Sequence, residues 1–526
     1  MKLKRIIFMC LPMVLLLSCD TNITSKEKSE KGVRMLTEKY QPPIFMNDQR
    51  ISKITEIAPE IHQILAEHAL EKKIPGVAYG IVVDDSVLVA SAIGMTHIGN
   101  KTPATINSAF RIASMTKSFT AMAILKLRDE GHLSLGDPVA EYIPEMENTR
   151  YLTTDSPDID IENLLTMTAG FPEDNPWGDR QLAVSDADLM ALVEDGISVS
   201  KPPSLAYEYS NTGYAMLGHI ITKVSGIPYQ EYINKNILLP LGMDHTYWEY
   251  SDIPEGELVH GYRWEDEQWK DEPILHDGAY GSMGGLITSI TDFSKYVRFH
   301  LSAWPARSGE DHGPIKRSSL REMHNPQFSF LNSWNTDWND EACASRIGYG
   351  YGLGISQDCK RIIRVSHGGA LPGYGSNYVF YPEYGIGIMA FGNRTYTRPI
   401  PYDAIEKLLF ETQGIQPRSL PISDILAERK NEMANIILSW DGNLDQGIFA
   451  DNLFMDTSKD KRTNEIQGIL DKAGALGEVL EINPRNQLRG DFRIQAEKGS
   501  IRIFFTLTPQ KEPKIQQLDF SFEPND

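Results

Sequence analysis

The feature that most constrains the fold is the position of the β-rich segments, which flank a long and mostly helical stretch. VAYGIVVDDSVLVASAIG contains two β-rich runs around Asp84 and Asp85, which is a hairpin pattern. Such runs return only late, in RIIRVSHGG, NYVFYP and GIGIMAFGN. Between residues 140 and 300 the pattern is mainly helices and loops. This order predicts an α+β fold: an antiparallel sheet completed from both halves of the chain, flanked by helices, with an inserted mainly helical lobe.

The other segments extend this outline. Residues 51–73 carry apolar residues at helical spacing, and RIASMTKSFTAMAILKL (Arg111 to Leu127) also predicts a helix. Residues 303–346 are rich in Pro, Gly, Asn and Trp and predict a long loop. After TQGIQPRSLP the composition changes, and GSIRIFFTLTPQKEPKIQQLDFSF alternates as paired strands do. We therefore expect a folded domain over residues 51–415 and a small C-terminal α+β domain over residues 420–526.

The first residues have the pattern of a targeting signal. Basic residues precede the apolar run Ile6 to Leu17, which is too short to span a bilayer comfortably, so a signal peptide is favoured over a transmembrane helix. The run ends in LLLSC, which resembles the lipobox of bacterial lipoproteins. That resemblance implies a signal peptide over 1–18, a diacylated Cys19 as the mature N-terminus and a polar tether over 19–50. It also implies an exported lipoprotein that is membrane-anchored and faces the periplasm or the cell exterior. Ordinary secretion with a coincidental cysteine is the alternative.

Charge and spacing argue against several classes of partner. The net charge of −20 argues against binding the phosphate backbone of a nucleic acid. No histidine or cysteine spacing suggests a metal site, and we expect neither a metal nor a cofactor. GYGYGLG (Gly348 to Gly354) lacks the spacing of a nucleotide-binding loop and predicts a strand that another backbone approaches closely. Whether Cys343 and Cys359 form a disulfide stays open, because the sequence does not fix their separation.

Ser114 and Lys117 are the first candidates for chemistry. They lie three residues apart, so a helix brings them to one face. A serine hydroxyl is a weak nucleophile unless a base takes its proton, and a lysine is such a base only where burial lowers its pKa. An apolar helix start, with the positive end of the helix dipole at the pair, favours this. The S-x-x-K pattern alone is short, and a capping serine beside a solvated lysine is the alternative.

Two further motifs favour the chemical interpretation. YEYSNTGY contains Tyr209 and Asn211, and RVSHGGALPGYGS contains His367 before two glycines. With these motifs in this order, and with connecting segments such as LLTMTAG, PLGMDHT and GGLITSITDF, the chain resembles the serine β-lactamase and penicillin-binding-protein superfamily over residues 51–412. The resemblance is to its class C-like branch, which also holds D-alanyl-D-alanine carboxypeptidases, D-aminopeptidases and esterases.

The resemblance implies a role for each matching residue. Ser114 resembles the nucleophile and Lys117 its partner base, while Tyr209 resembles the tyrosine that shares or relays the proton. Asn211 resembles the asparagine that holds the lysine and the substrate's amide carbonyl. The backbone N–H groups of Ser114 and Ala370 would form the oxyanion hole. Which of Lys117 and Tyr209 is the base stays open.

One position departs from many members of the superfamily. His367 stands where many lactamases and transpeptidases have a lysine that meets the substrate carboxylate, and some D-aminopeptidases and esterases of the branch also have histidine there. Because histidine is only partly charged near neutral pH, this departure disfavours efficient lactamase activity. Three tryptophans are candidates for pocket walls, with surface packing as the alternative: Trp177, Trp334 and Trp338.

These features predict an enzyme: a serine hydrolase that forms a covalent acyl-enzyme on an amide or ester, such as a cell-wall peptide, a D-amino-acid amide or an ester. A class C-type β-lactamase is the alternative within the superfamily. The alternative from another class of function is a catalytically silent binding or sensor protein with the same fold. The expected partners are a small substrate and a lipid anchor, and the sequence does not indicate an oligomeric state.

Overall fold

The centre of the fold is an antiparallel sheet to which both halves of the chain contribute, as predicted. The computed structural model describes residues 40–330, 333–444 and 447–525. The predicted signal peptide lies outside the described residues. So do Cys19 and the rest of the predicted tether up to residue 39. In the described part this sheet has ten strands in the order β3-β2-β1-β14-β13-β12-β11-β10-β8, with β9 also pairing with β10. The first fourteen strands are β1 (Gly76–Val83), β2 (Ser86–His97), β3 (Thr102–Pro103), β4 (Phe110–Arg111), β5 (Tyr262–Glu265), β6 (Gln268–Asp271), β7 (Ile287–Thr288), β8 (Phe328–Ser329), β9 (Ser333–Thr336), β10 (Ala342–Tyr349), β11 (Gly354–Gln357), β12 (Ile363–Leu371), β13 (Tyr374–Tyr381) and β14 (Ile386–Gly392).

Helices cover both faces of this sheet and form the inserted lobe. The helices up to residue 406 are α1 (Arg50–Glu71), α2 (Lys117–Glu130), α3 (Ile161–Thr166), α4 (Asn175–Gly178), α5 (Asp186–Asp195), α6 (Asn211–Ser225), α7 (Tyr229–Ile233), α8 (Gly281–Gly284), α9 (Ile290–Ser302), α10 (Arg317–Met323) and α11 (Tyr402–Glu406). Short 3-10 segments are Ala113–Thr116, Val139–Glu141, Pro144–Asn148, Leu239–Leu241 and Tyr250–Asp252, and π-helical turns are Asn234–Leu238 and Lys407–Thr412.

Strand β1 explains why the sheet is covered on both faces. All of its residues are buried, and they alternate between two hydrophobic cores. Val77, Tyr79 and Ile81 join the core that contains α1 and α11, while Ala78 and Val82 join the core of the helical lobe. Because successive side chains of a strand point to opposite faces, a continuous apolar strand requires partners on both sides.

Helix α2 lies in the middle of the helical lobe. Its residues from Lys117 to Leu125 are all buried, and Gly131 ends it in the left-handed conformation at φ +80°. Because this part of α2 is buried on every side, it lies inside the lobe rather than on its surface. The predicted start at Arg111 is wrong, because Phe110 and Arg111 form β4 and the 3-10 segment Ala113–Thr116 precedes α2.

Two further expectations need correction. GYGYGLG is not one strand: Gly348 and Tyr349 end β10, the chain turns at residues 350–353, and Gly354 begins β11. The close approach of another backbone is correct, since a Cβ at Gly352 would lie 2.9 Å from the carbonyl oxygen of Lys117. Residues 303–346 are not one long loop, because they contain α10, β8, β9 and the start of β10.

The C-terminal part of the chain has its own sheet and core. Its strands are β15 (Leu476–Val479), β16 (Asn483–Asn486), β17 (Arg489–Ala496), β18 (Gly499–Leu507) and β19 (Ile515–Pro524), and its helices are α12 (Asp424–Leu438), α13 (Asn452–Asp456) and α14 (Lys459–Ala473). The strand order is β15-β17-β18-β19, with β16 also pairing with β17, and β18 pairs antiparallel with β19. The apolar side chains of these elements form a separate cluster. Residues 41–526 belong to one compact unit, so a domain boundary near residue 420 stays a prediction.

Two local features bear on the sequence analysis. Cys343 and Cys359 form a disulfide with a Cα–Cα distance of 5.3 Å, which answers the question that the sequence left open. Ile44 pairs with Ser419 through two backbone hydrogen bonds of 3.0 and 2.7 Å, so the chain is already bound to the folded body before α1 begins. Within the residues that the structure describes, no helix combines the length and the apolarity needed to cross a membrane.

Candidate active site

Ser114 lies in the 3-10 segment before α2, at a place where β12 approaches the chain closely. A Cβ at Gly369 of β12 would overlap the carbonyl oxygen of Ile112, and the Ser376 hydroxyl donates a 2.7 Å hydrogen bond to the same oxygen. Ala113 adopts a left-handed φ of +51°, a conformation that costs a non-glycine residue about 1–3 kcal/mol and is concentrated at functional sites. The tertiary contact with β12 therefore fixes the turn that presents Ser114.

The end of strand β12 opens the site. Strand β11 stops pairing with β12 at Gly354, opposite Ser366. Beyond Ser366, the pairing of β12 in the described residues continues only with β13, up to Leu371. The segment His367 to Ala370 therefore has one edge facing away from the sheet, and this is the edge beside the Ser114 turn.

Lys117 is buried beneath Ser114 and uses all three ammonium protons. Its Nζ donates to Ser114 Oγ at 3.1 Å, to Asn211 Oδ1 at 2.7 Å and to the backbone oxygen of Met283 at 2.9 Å. A lysine ammonium has three donors and no acceptor. Ser114, Lys117 and Asn211 are thus brought together, as the sequence motifs predict, although Asn211 comes from α6, a distant part of the chain.

Burial gives Lys117 the pKa of a base. Burial lowers the pKa of Lys117 from its ordinary value of 10.5 to about 7, against the attraction of Asp179 and Asp174, which favours the ammonium. A substantial fraction of Lys117 is therefore neutral near pH 7, and a neutral amine accepts a proton from the hydroxyl at 3.1 Å.

Tyr209 lies on the other side of the pair. The Nζ of Lys117 lies 4.9 Å from the centre of the Tyr209 ring. Burial raises the pKa of Tyr209 well above 10, and its hydrogen bond with Ser114 offsets only part of that rise. Tyr209 is consequently a neutral phenol at neutral pH, which can donate or relay a proton. This electrostatic difference favours Lys117 over Tyr209 as the first acceptor of the serine proton.

His367 is a neutral imidazole held by two hydrogen bonds. Its Nδ1 is 2.6 Å from the backbone oxygen of Gly368, which fixes the proton on Nδ1, and its Nε2 is 3.2 Å from the hydroxyl of Tyr349. Burial, followed by repulsion from Lys117, lowers the pKa of His367 to about 4. The expectation of a partly charged histidine is therefore wrong, because the imidazole is neutral at pH 7.

A cavity of about 460 Å³ opens over these groups. Ser114, Tyr209, His367 and Ala370 line it, while Lys117 and Asn211 lie below its surface. The volume falls within the usual range for small-molecule sites, about 300–1,000 Å³. The cavity is therefore lined by both predicted oxyanion-hole residues, Ser114 and Ala370. Ser114 also carries the hydroxyl that would attack.

The sequence analysis missed a segment that supports Asn211. Asp174 accepts hydrogen bonds from the backbone N–H groups of Asn211 and Thr212 at 2.6 and 2.8 Å, which satisfies free donors at the start of α6. A Cβ at Gly178 would lie 2.8 Å from the Cβ of Asn211, so only glycine fits there. Asp179 follows and lines the cavity. The available signal was a cluster of Asp, Asn and Gly in EDNPWGDR, which has no apolar pattern of its own.

The tryptophans do not line this cavity where their side chains are described. Trp177 is half exposed and lies at a neighbouring groove with Phe171. Trp338 donates a hydrogen bond to Glu411 on another part of the surface. The side chain of Trp334 lies outside the described part of the chain.

Among the described residues, no cluster of three or more His, Cys, Asp or Glu side chains could hold a metal ion.

The geometry agrees with the comparisons to known proteins. The chain belongs to the Beta-lactamase family, whose sequence profile matches residues 57–410. It is 27% identical over 402 residues to "Beta-lactamase-like protein 2" of Dictyostelium discoideum, across 73% of this chain and 69% of that protein. It is 27% identical over 348 residues to "Protein flp" of Staphylococcus aureus (strain COL), across 65% of this chain and 64% of that protein. The chain thus spans less than two thirds of the staphylococcal relative.

Two solved structures have the same fold. The octameric penicillin-binding protein homologue from Pyrococcus abyssi superposes with a TM-score of 0.57 at 23% identity, covering 89% of this chain and 98% of that one. The penicillin binding protein from Bacillus halodurans gives a TM-score of 0.51 at 24% identity, covering 65% of this chain and 98% of that one. At this identity the likeness concerns the fold, and the predicted fold class is confirmed.

Proposed function

We propose that this protein is a serine hydrolase that forms a covalent acyl-enzyme on Ser114 from a small amide or ester. The candidate substrates are cell-wall peptides, D-amino-acid amides and esters. The observation that carries the proposal is the buried Lys117 Nζ at 3.1 Å from Ser114 Oγ, with a pKa lowered to about 7. Membership of a family whose members are usually serine hydrolases supports it.

The first step would form the acyl-enzyme. Ser114 Oγ attacks the substrate carbonyl carbon while its proton passes to neutral Lys117. The carbonyl oxygen takes up the negative charge and receives hydrogen bonds from the backbone N–H groups of Ser114 and Ala370. When the tetrahedral intermediate collapses, the bond to the leaving amine or alcohol breaks. The leaving group takes the proton from Lys117 through the phenol of Tyr209.

The second step would release the acid. Water attacks the ester carbon of the acyl-enzyme and gives up a proton to Lys117, with Tyr209 as relay. The bond to Ser114 Oγ then breaks, and the serine oxygen regains its proton from the same pair. Asn211 keeps Lys117 in place through its 2.7 Å hydrogen bond in both steps.

Labelling of the nucleophile tests the proposal directly. A fluorophosphonate probe or a fluorescent penicillin should label the wild type, and Ser114→Ala should abolish the label. Ser86→Ala, which changes an exposed serine at the start of β2, is the matched control and should be labelled like the wild type. Absence of any label that depends on Ser114 would favour the catalytically silent binding or sensor protein.

The neutral imidazole of His367 favours neutral esters or amides over carboxylate-bearing lactams as substrates. A carboxylate-bearing lactam gains a charge-assisted hydrogen bond from an imidazolium but not from a neutral imidazole. Neutral p-nitrophenyl esters or D-amino-acid amides should therefore be turned over at pH 7.5 far better than cephalosporins. His367→Ala should reduce turnover by about tenfold or more if the imidazole positions the substrate. Faster hydrolysis of a cephalosporin than of every ester and D-peptide tested would make a class C-type β-lactamase the better description.

We also propose that the protein is a lipoprotein anchored to a membrane through Cys19, on the periplasmic or outer side of the cell. The proposal rests on the LLLSC segment and the preceding apolar run. Wild-type protein should partition with membranes and carry acyl mass at its N-terminus, whereas Cys19→Ala should be released. Equal membrane association of the two proteins would refute the anchor and favour ordinary secretion.

A further inference from the structure

Asp179 is a buried carboxylate that the mechanism above does not use. Its side chain is 3% exposed, and it lines the same cavity as Ser114, Tyr209 and His367. The phenol of Tyr396 donates a hydrogen bond to the carboxylate. Among the described residues, Asp179 Oδ1 is buried without any hydrogen-bond partner. A buried carboxylate that lacks a partner is costly, so one that lines a cavity calls for an explanation.

The nearby cations do not neutralise Asp179. Lys117 attracts it, but the three protons of Lys117 are already donated to Ser114, Asn211 and Met283. Arg180 follows Asp179 in the chain, but its guanidinium pairs with Glu272 at 3.7 Å and its side chain is half exposed. Among the described residues, the charge of Asp179 is therefore not matched by an ion pair.

The other charged groups around Asp179 increase the need for a cation. Burial raises the pKa of Asp179 to about 7, repulsion from Asp174 adds to the rise, and the attraction of Lys117 offsets only part of it. Arg398 also lines the cavity, but it is an exposed residue and forms no described ion pair with Asp179. His367 is neutral and so adds no positive charge to the cavity. An incoming cation would pair the charge of the ionised carboxylate.

We propose that Asp179 binds an ammonium group of the substrate, so that the enzyme prefers amides or esters that carry a free amine close to the scissile bond. An ammonium donates hydrogen bonds and carries the opposite charge, so it complements the ionised carboxylate of Asp179. A neutral acylated amine supplies neither the charge nor the full set of donors. The substrates favoured are therefore amino-acyl esters, amino-acid amides and peptides with a free amino terminus. This inference rests on the proposed hydrolase activity of Ser114.

Matched substrate pairs test the inference. D-alanine p-nitroanilide and glycine p-nitrophenyl ester carry a free amine, and their N-acetyl derivatives differ only at that amine. We expect the wild type to prefer the free amine in kcat/KM by roughly tenfold to a hundredfold, the usual effect of a hydrogen bond to a charged group. Asp179→Asn should bring the ratio of the two substrates close to one. Glu173→Gln removes the same charge from an exposed neighbour in the same segment and should keep the wild-type ratio.

The ratio separates substrate recognition from general damage. Asp179→Asn also removes an attraction on Lys117, which changes the rates of both substrates in a pair but not their ratio. Labelling of Ser114 by a fluorophosphonate reports whether the hydrolase site is intact. If Ser114 is labelled but the wild type shows no preference for the free amine, the inference fails and the proposed function stands. If Ser114 is not labelled at all, the proposed function fails.

A second measurement tests the inference even if Asp179→Asn does not fold or if the wild type hydrolyses neither pair of substrates. D-Alaninamide should protect wild-type Ser114 from the fluorophosphonate at concentrations roughly tenfold lower than N-acetyl-D-alaninamide does. Equal protection by the two amides, or protection by neither, overturns the inference. A preference for the acetylated compound in either assay also overturns it, because Asp179 would then repel rather than recruit the group at that position.

Discussion

Two regions of the molecule bury charge in opposite ways. The Ser114 region (residues 50–412) buries Lys117 and Asp179 without an ion pair between them. The C-terminal region (residues 424–524) buries Asp491, but Arg485, Arg502 and Arg493 approach it at 3.4, 3.1 and 3.9 Å.

The pKa shifts follow the same division. Burial alone would raise the pKa of Asp491, but a hydrogen bond from Arg502 and the attraction of three arginines lower it instead. Burial lowers the pKa of Lys117 and raises that of Asp179, each to about 7, so each group is only partly charged near neutral pH. Unpaired buried charge lowers stability and is retained where chemistry uses it. The difference supports the proposed chemistry in the Ser114 region, and we expect a structural role for the C-terminal region.

The largest expected effect follows from removing the buried amine. Lys117→Met should reduce ester turnover about a thousandfold, because the base that takes the serine proton is lost. Its thermal stability should change little, because the removal of a desolvated charge is offset by the buried oxygens of Asn211 and Met283, which lose their donor. Lys126→Met, at a partly exposed lysine on the same helix, is the control and should change turnover less than twofold. Retention of a tenth of the wild-type turnover by Lys117→Met would contradict the proposed role.

The same substitution in the two regions should have opposite consequences. At Gly178, alanine would place its Cβ 2.8 Å from Asn211, shift the side chain that holds Lys117 and lower turnover by roughly tenfold to a hundredfold. At Gly468, inside α14, a Cβ meets no atom within 4 Å. Gly468→Ala should therefore leave turnover unchanged and stabilise the protein by about 0.5–1 kcal/mol.

Steady-state kinetics and thermal melting of both alanine variants distinguish these outcomes. The comparison of kcat with the melting temperature is informative. A displaced Asn211 should lower kcat, whereas a merely loosened fold should lower the melting temperature and leave kcat unchanged. Equal turnover of Gly178→Ala and Gly468→Ala would show that the close packing on Asn211 does not matter for the chemistry.

A third prediction concerns pH. The proposed base must be neutral, and the pKa of Lys117 is about 7, so kcat/KM for a neutral ester should rise up to tenfold per pH unit below 7 and level off above it. His367 does not contribute to this rise, because its pKa of about 4 keeps it neutral throughout. The measured midpoint belongs to the interacting pair of Lys117 and Asp179 rather than to one group.

The Asp179→Asn variant sharpens this test. The carboxylate stabilises the ammonium form of Lys117, so its removal should move the midpoint of the pH profile to lower pH. The profile is measured with p-nitrophenyl acetate from pH 5.5 to 9, after correction for the spontaneous hydrolysis of the ester. A rate that falls as the pH rises from 6 to 8 would contradict a neutral lysine base.

The sequence predicts most of the site and the outline of the fold. Ser114, Lys117, Tyr209 and Asn211 could be found because each belongs to a short motif that matches the family by residue type. The sheet could be predicted because β1 and its hairpin partner are separated from the late strands by a long helical stretch. Apolar alternation and turn residues are local properties, and they remain readable without a structure.

Other features could not be predicted because they depend on distant contacts. The helix start moved from Arg111 to Lys117 because the packing of β12 at Gly369 forces Ala113 into a left-handed turn. Asp179 is one acid among several in EDNPWGDR, and only its burial and missing partner set it apart. His367 looked titratable near neutral pH, but its pKa depends on burial and on Lys117, which is distant in the sequence.

The smallest expected effect concerns the paired charge of the C-terminal region. Asp491→Asn removes the carboxylate on which Arg485, Arg493 and Arg502 converge, and it leaves their like charges facing one another. We expect the free energy of unfolding to fall by about 1–3 kcal/mol, because one partner of a buried charged hydrogen bond is lost. Fluorophosphonate labelling of Ser114 should be unchanged wherever the variant is folded.

Asp519→Asn is the matched control, since it removes the same charge from an exposed position of β19 near Arg502. It should change the free energy of unfolding by less than about 0.5 kcal/mol. Denaturant unfolding of the three proteins, followed in parallel by labelling of Ser114, gives both readouts in one experiment. If folded Asp491→Asn loses the label while Asp519→Asn keeps it, the C-terminal region acts on the site. In that case the contrast would be wrong in which the Ser114 region keeps unpaired charge for chemistry and the C-terminal region pairs its charge for stability.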